Sequence, residues 1–114
     1  MFCRRRCCRS LQNGDITIEE LKDKVSQGAI LLDVRSKQEY QEGHLQGAIN
    51  IPDFELANRV QKEIAKKNQL IITYCQYGGR SRNAYILMKK LGYTNIYNLS
   101  GGLDMMYFLL LPKV

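Results

Sequence analysis

The sequence predicts an α/β domain with a mostly parallel central sheet flanked by helices on both faces. Two observations lead there. Short, nearly continuous apolar runs at residues 29–34 (AILLDV) and 70–74 (LIITY) read as strands buried on both faces. Segments with apolar residues three and four apart alternate with them, the spacing of helices that bury one side. Strand–helix alternation of this kind pairs strands in parallel and covers the sheet with helices.

Each element follows in order. Thr17 followed by Glu20 reads as a capping box, with Ile18, Leu21 and Val25 on one face of the helix and Gly28 as its stop. The strand at 29–34 comes next, and the polar stretch at 38–42 has room for one or two helical turns. Residues 48–51 (AINI) form a short strand that ends at Pro52. From 54 to 66, Ala57, Val60 and Ile64 give a second amphipathic helix. The strand at 70–74 runs directly into Cys75. Beyond a five-residue link, Ala84, Leu87, Met88 and Leu91 mark a third helix. Lys89 and Lys90 suit its negative end, and Gly92 its cap. Residues 96–99 supply a last strand before Gly101 and Gly102.

With 114 residues the chain fits one domain. No apolar stretch approaches the roughly 20 residues of a membrane-spanning helix. The N-terminal residues lack the apolar core of a secretory signal, so a cytoplasmic protein is expected. The net charge of +6 suggests nucleic acid until it is located. Arg4, Arg5, Arg6 and Arg9 stand in a segment without acids, and residues 11–114 carry a net charge of only +2. The basicity therefore belongs to a tail at residues 1–12, expected to be disordered, and nucleic-acid contact is expected at most there. Cys3, Cys7 and Cys8 lie in the same tail, with spacing that makes a poor disulfide framework and a poor zinc site. Neither a metal nor a cofactor is expected. Cys75 is left as the one cysteine of the body, either a small buried hydrophobe or a nucleophile.

Its surroundings favour the nucleophile. Cys75 follows a parallel strand at the carboxyl end of the sheet, where open α/β sheets place their ligands. The segment Cys75-Gln76-Tyr77-Gly78-Gly79-Arg80-Ser81 leads straight into a helix. Gly78 and Gly79 permit the backbone to curl until successive N–H groups converge on an anion. The positive end of the helix points at the same place, and Arg80 and Arg82 add full charges. All of these stabilise negative charge on sulfur, whether on the cysteine or on a sulfur attached to it.

Four segments, in order, resemble one family. Leu31-Leu32-Asp33-Val34-Arg35, followed by Glu39-Tyr40, is similar to the LLDVR strand end and E-[FY] position of rhodanese domains. The segment from Glu42 through Gly43 and His44 to Pro52 resembles their EGHIxGAxNIP stretch. Residues 75–81 fit their C-x-x-G-x-R-S loop, and Leu99-Ser100-Gly101-Gly102 resembles their L-x-GG turn. The resemblance runs from about Asp15 to Pro112 and implies a rhodanese-like domain at 13–114. It implies that Cys75 accepts a sulfane sulfur from an anionic donor such as thiosulfate and passes it to cyanide, a thiol or another protein. Arg80 would act with Cys75 in catalysis, orienting the donor and stabilising shifting charge. Gln76, Tyr77, Gly78, Gly79, Ser81 and Arg82 would bind the donor through loop amides and nearby charge, although Arg82 could equally face solvent. Asp33, Arg35, Glu42 and His44 would be supporting scaffold. Asp33 and Arg35 read as a hydrogen-bonded brace that could include Glu42, and His44 as a structural residue rather than a general base. A monomer or weak homodimer is expected.

Two departures stand out. Met106 occupies the family's Trp position, and the apolar run at 105–111 reads as core, with an exposed interface as the alternative. The Cys/Arg-rich tail lies outside the family pattern. Three other classes compete with this reading: a phosphatase or arsenate reductase of the same fold, a non-catalytic binding module, and a persulfide carrier dedicated to one pathway. The first would have histidine before the cysteine and five residues between Cys and Arg. Here Tyr74 precedes Cys75 and four residues separate it from Arg80. The second class often lacks the cysteine. The carrier shares the whole site and is the runner-up.

Overall fold

The structure, a computed structural model, describes residues 11–106. The tail cysteines and the side chains of the 105–111 run lie outside the described residues. Five parallel strands make one sheet: β1 (Asp15–Ile16), β2 (Ile30–Asp33), β3 (Ile49–Asn50), β4 (Ile71–Tyr74) and β5 (Ile96–Leu99), in the order β1-β5-β4-β2-β3. The helices are α1 (Ile18–Ser26), α2 (Lys37–Glu42), α3 (Leu56–Glu63), α4 (Gly79–Lys90) and α5 (Gly102–Met106). Capping boxes start the first two, Thr17 with Glu20 and Ser36 with Glu39.

Side chains alternate across the pleat and feed two cores. On one face Leu32, Ile71 and Ile96 pack with Leu56, Val60, Ala84 and Met88 of α3 and α4. On the other, Leu31, Ile72 and Leu99 pack with Ile18 and Leu21 of α1 and Leu103 of α5.

Three local expectations are corrected. The helix expected over 54–66 is divided into a 3-10 turn at Asp53–Glu55 and α3. Its buried stripe is Leu56, Val60 and Ile64, and Ala57 is exposed. In α1, Val25 is 43% exposed: the buried positions are Ile18 and Leu21, and in the last turn it is Lys24 that lies over the sheet, on the ring of Tyr97. The strand β1 is an addition, since two residues carry no periodicity to read.

The strand order fixes where a site can form. From β2 the chain leaves by α2, on the α1 side, to reach β3. From β4 it leaves by α4, on the opposite face, to reach β5. The two neighbouring strands thus send their connections in opposite directions, which opens a crevice at their carboxyl ends.

Candidate active site

Cys75 is the first residue beyond β4, at that crevice, and only 1% of its surface is exposed. Gly78 is the N-cap of α4, in a left-handed conformation with φ 109°, and it has no side chain to cap the helix. Cys75 supplies the missing acceptor. Its Sγ receives the N–H of Gly78 at 3.1 Å and that of Ser81, in the first turn of α4, at 3.4 Å. The sulfur therefore sits where a capping oxygen would, at the positive end of the helix. Ser81 is itself held, its Oγ donating to Gly78 O and its carbonyl accepting from Thr73 Oγ1.

The outer side of the loop is tied to α5. Leu103 N and Asp104 N donate to the carbonyls of Cys75 and Gln76, each at 2.9 Å. In a trans peptide the N–H points opposite the C=O. The amides of Gln76 and Tyr77 are therefore turned away from α5, and among the described residues they meet no protein acceptor. Gly102, at φ 64°, allows this approach: a Cβ there would lie 2.4 Å from the carbonyl oxygen of Cys75. Tyr77 stands 70% exposed at the tip of the loop.

Arg80 reaches across the crevice to Glu39 of α2 in a two-bond fork, Nη1 to Oε1 at 2.7 Å and Nη2 to Oε2 at 3.1 Å. Glu39 Oε1 also accepts from Ser36 N. The Arg80 hydrogen bonds pull the Glu39 carboxyl down to about 2, outweighing partial burial, with Ser36 assisting. The same pair raises Arg80, to which Cys75 and Asp53 contribute more weakly by charge. Arg82 turns to the opposite flank, donating to Asn13 O and to Asp15 Oδ1 of β1, so it joins the edge strand to α4.

Asp33 and Arg35 form a buried pair, with Nη2–Oδ2 at 2.7 Å. Arg35 then donates to Gly43 O, and Asn50 ties the carbonyls of both residues. Glu42 is not in this brace. It accepts from Gln38 one helical turn back, and the Gly43 carbonyl takes the place expected for its carboxylate. His44 stacks on Tyr40 with ring centroids 3.7 Å apart, and its Nδ1 donates to Tyr40 O, which fixes the ring against α2. Leu45 N donates to the hydroxyl of Tyr74, whose buried phenol is pushed upward by desolvation.

Cys75, Gly78, Arg80 and Ser81 are thus brought together, while Arg82, His44 and Glu42 are engaged elsewhere. Two contributors had no signal as site residues: Glu39, read only as a motif position, and the backbone amides of Leu103 and Asp104. A partner 41 positions away leaves no periodic trace. Among the described residues, no cluster of three His, Cys, Asp or Glu side chains is arranged to hold a metal, and no helix is long and apolar enough to cross a membrane.

A family model described as Rhodanese-like domain matches residues 17–106. The chain is 37% identical over 83 residues to thiosulfate sulfurtransferase PspE of Escherichia coli (strain K12), covering 73% of this chain and 76% of that protein. It is 33% identical over 99 residues to the thiosulfate:glutathione sulfurtransferase of Homo sapiens, covering 75% and 86%. The solved structure of the human single-domain sulfurtransferase TSTD1 superposes with a TM-score of 0.74 at 28% identity, covering 87% of this chain and 98% of that one.

Proposed function

The chain belongs to the rhodanese-like domain family, and on that premise we propose that it is a sulfurtransferase of the thiosulfate type, working through a persulfide on Cys75. The observation that carries this reading is the pair of N–H groups aimed at Cys75 Sγ from Gly78 and Ser81. Donors fixed by the fold around one atom favour negative charge there without reorganisation.

In the first half-reaction the Cys75 thiolate attacks the outer sulfur of thiosulfate. The S–S bond of the donor breaks, sulfite leaves with the electron pair, and Cys75 carries –S–S⁻. In the second, a thiolate or cyanide takes the outer sulfur and restores the Cys75 thiolate. The N–H groups of residues 76–81 would hold the anionic sulfur in turn. Arg80, its terminal nitrogens engaged by Glu39, contributes charge to the donor's approach. His44 has no part, because a thiolate nucleophile needs no base. The similar human protein is named for glutathione as acceptor, and a small thiol or a protein thiol is the acceptor proposed here. A cytoplasmic site of action belongs to the same proposal, since a reducing compartment keeps the Cys75 thiol free for turnover.

The test is an intact mass before and after thiosulfate, with peptide mapping and Cys75→Ser as control. One added sulfur on Cys75, removed by cyanide and absent from the variant, is expected. No gain on Cys75 would overturn the reading. A stable persulfide with slow turnover to cyanide would favour the pathway-dedicated carrier.

A further inference from the structure

The mouth of the cradle is less positive than its arginine suggests. Both terminal nitrogens of Arg80 are held by Glu39, and a forked pair of this kind occupies the edge that an incoming oxyanion would otherwise take. Asp53, exposed in the 3-10 turn after β3, places a second carboxylate close enough to act on Arg80 by charge. One guanidinium thus faces two carboxylates, which reduce the charge Arg80 offers a donor and leave more of the attraction to the loop amides. Apart from the Arg80 fork, the Glu39 charge meets the positive end of the short α2, in whose first turn it lies. Its capping contact with Ser36 N asks only for a side-chain oxygen, which Gln supplies equally well.

We infer that Glu39 is a specificity-determining residue, offsetting Arg80 so that the site disfavours dianionic sulfur donors relative to monoanionic donors of the same size. The inference rests on the sulfurtransferase reading and names which donors that site selects. Two donors differ by little else. Thiosulfate carries two charges, and methanethiosulfonate replaces one oxygen by methyl and carries one. Each gives its outer sulfur to the Cys75 thiolate, one releasing sulfite and the other methanesulfinate, with charge conserved in both steps. A unit charge acting over about 7 Å with water-like screening changes binding by about threefold for each charge on the donor.

The experiment compares kcat/KM for the two donors, with cyanide as acceptor, in the wild type, Glu39→Gln and Glu39→Asp. In a double displacement this parameter reports the first half-reaction alone, so the acceptor drops out. The ratio of thiosulfate to methanethiosulfonate is expected to rise about threefold in Glu39→Gln and to stay at the wild-type value in Glu39→Asp. The gain is expected to shrink as salt is added. If Glu39→Gln does not fold, Asp53→Asn carries the test, with a smaller rise of the same sign. A ratio that stays level or falls, while the persulfide still forms on Cys75, overturns the inference alone. Failure of both donors to form any persulfide in the wild type overturns the sulfurtransferase reading and this inference with it.

Discussion

Three glycines allow the support of the reactive loop to be graded by substitution with alanine. At Gly102 a new Cβ would lie 2.4 Å from Cys75 O and 2.7 Å from Gln76 O, both backbone atoms. Ordinary contact begins at 3.4 Å, so the loop and the turn must separate by about 1 Å. Displacement on that scale costs about a hundredfold in rate when it moves a reacting group. Gly102 is also left-handed, φ 64°, which adds about 1–3 kcal/mol of backbone strain for alanine. Gly28 separates the two effects: its φ is 92°, yet its Cβ would meet nothing within 4 Å. Gly78 stands between them, left-handed, with an added Cβ 3.2 Å from Gly101 N. Urea midpoints and the rate of persulfide formation by rapid-quench mass spectrometry would be measured for all three alanine variants. Stability should fall in each. The rate should stay near wild type in Gly28→Ala, drop severalfold in Gly78→Ala, and drop about a hundredfold in Gly102→Ala. A Gly102→Ala protein that loads sulfur within a few fold of the wild-type rate would refute the view that the α5 turn holds Cys75 in place.

Other consequences follow from the same contacts. Arg35→Ala strands the buried Asp33 carboxylate and should lower stability by about 3–5 kcal/mol in urea titration, with loss below about 1 kcal/mol contradicting a dry pair. Tyr74→Phe removes the acceptor of Leu45 N and should cost about 1–3 kcal/mol, with faster hydrogen exchange at the Leu45 amide as its local signature. Glu39 titrates near 2 when folded instead of its usual 4.5. A depressed carboxyl contributes stability that is complete above its unfolded value and is lost as the pH falls through the folded one. Stability should therefore decline from about pH 4.5 toward pH 2, and Glu39→Gln should flatten that decline; an unchanged acid limb in the variant would remove Glu39 as its source.

The chemistry-bearing segment was legible because its signals are local. Strand, cysteine, glycine pair, arginine and helix follow one another within a dozen residues, and the same holds for both capping boxes. Where local spacing and structure differ, the cause is packing direction. Val25 has helical spacing with Leu21, but Lys24 takes the place over Tyr97 of β5 and Val25 is left exposed. Ala57 fits the apolar stripe of α3 as well as Leu56 does on paper, yet the larger side chain takes the buried place. Glu42 is near Arg35 in sequence, but Gly43 offers a carbonyl at 2.7 Å and leaves the carboxylate outside.

By itself, the sequence determined an α/β domain of alternating elements, a nucleophile at the end of a buried strand, and a loop able to curl around an anion. Each depends on hydrogen bonds and steric preferences that span a few residues. Only the tertiary structure decided what surrounds that loop. The Arg80–Glu39 fork joins positions 41 apart, and the amides of α5 reach back to the Cys75 and Gln76 carbonyls across some 28 positions. Such partners meet because β2 and β4 are neighbours in the sheet while their connections leave on opposite faces. That arrangement is set by the global strand order β1-β5-β4-β2-β3, which no local spacing encodes.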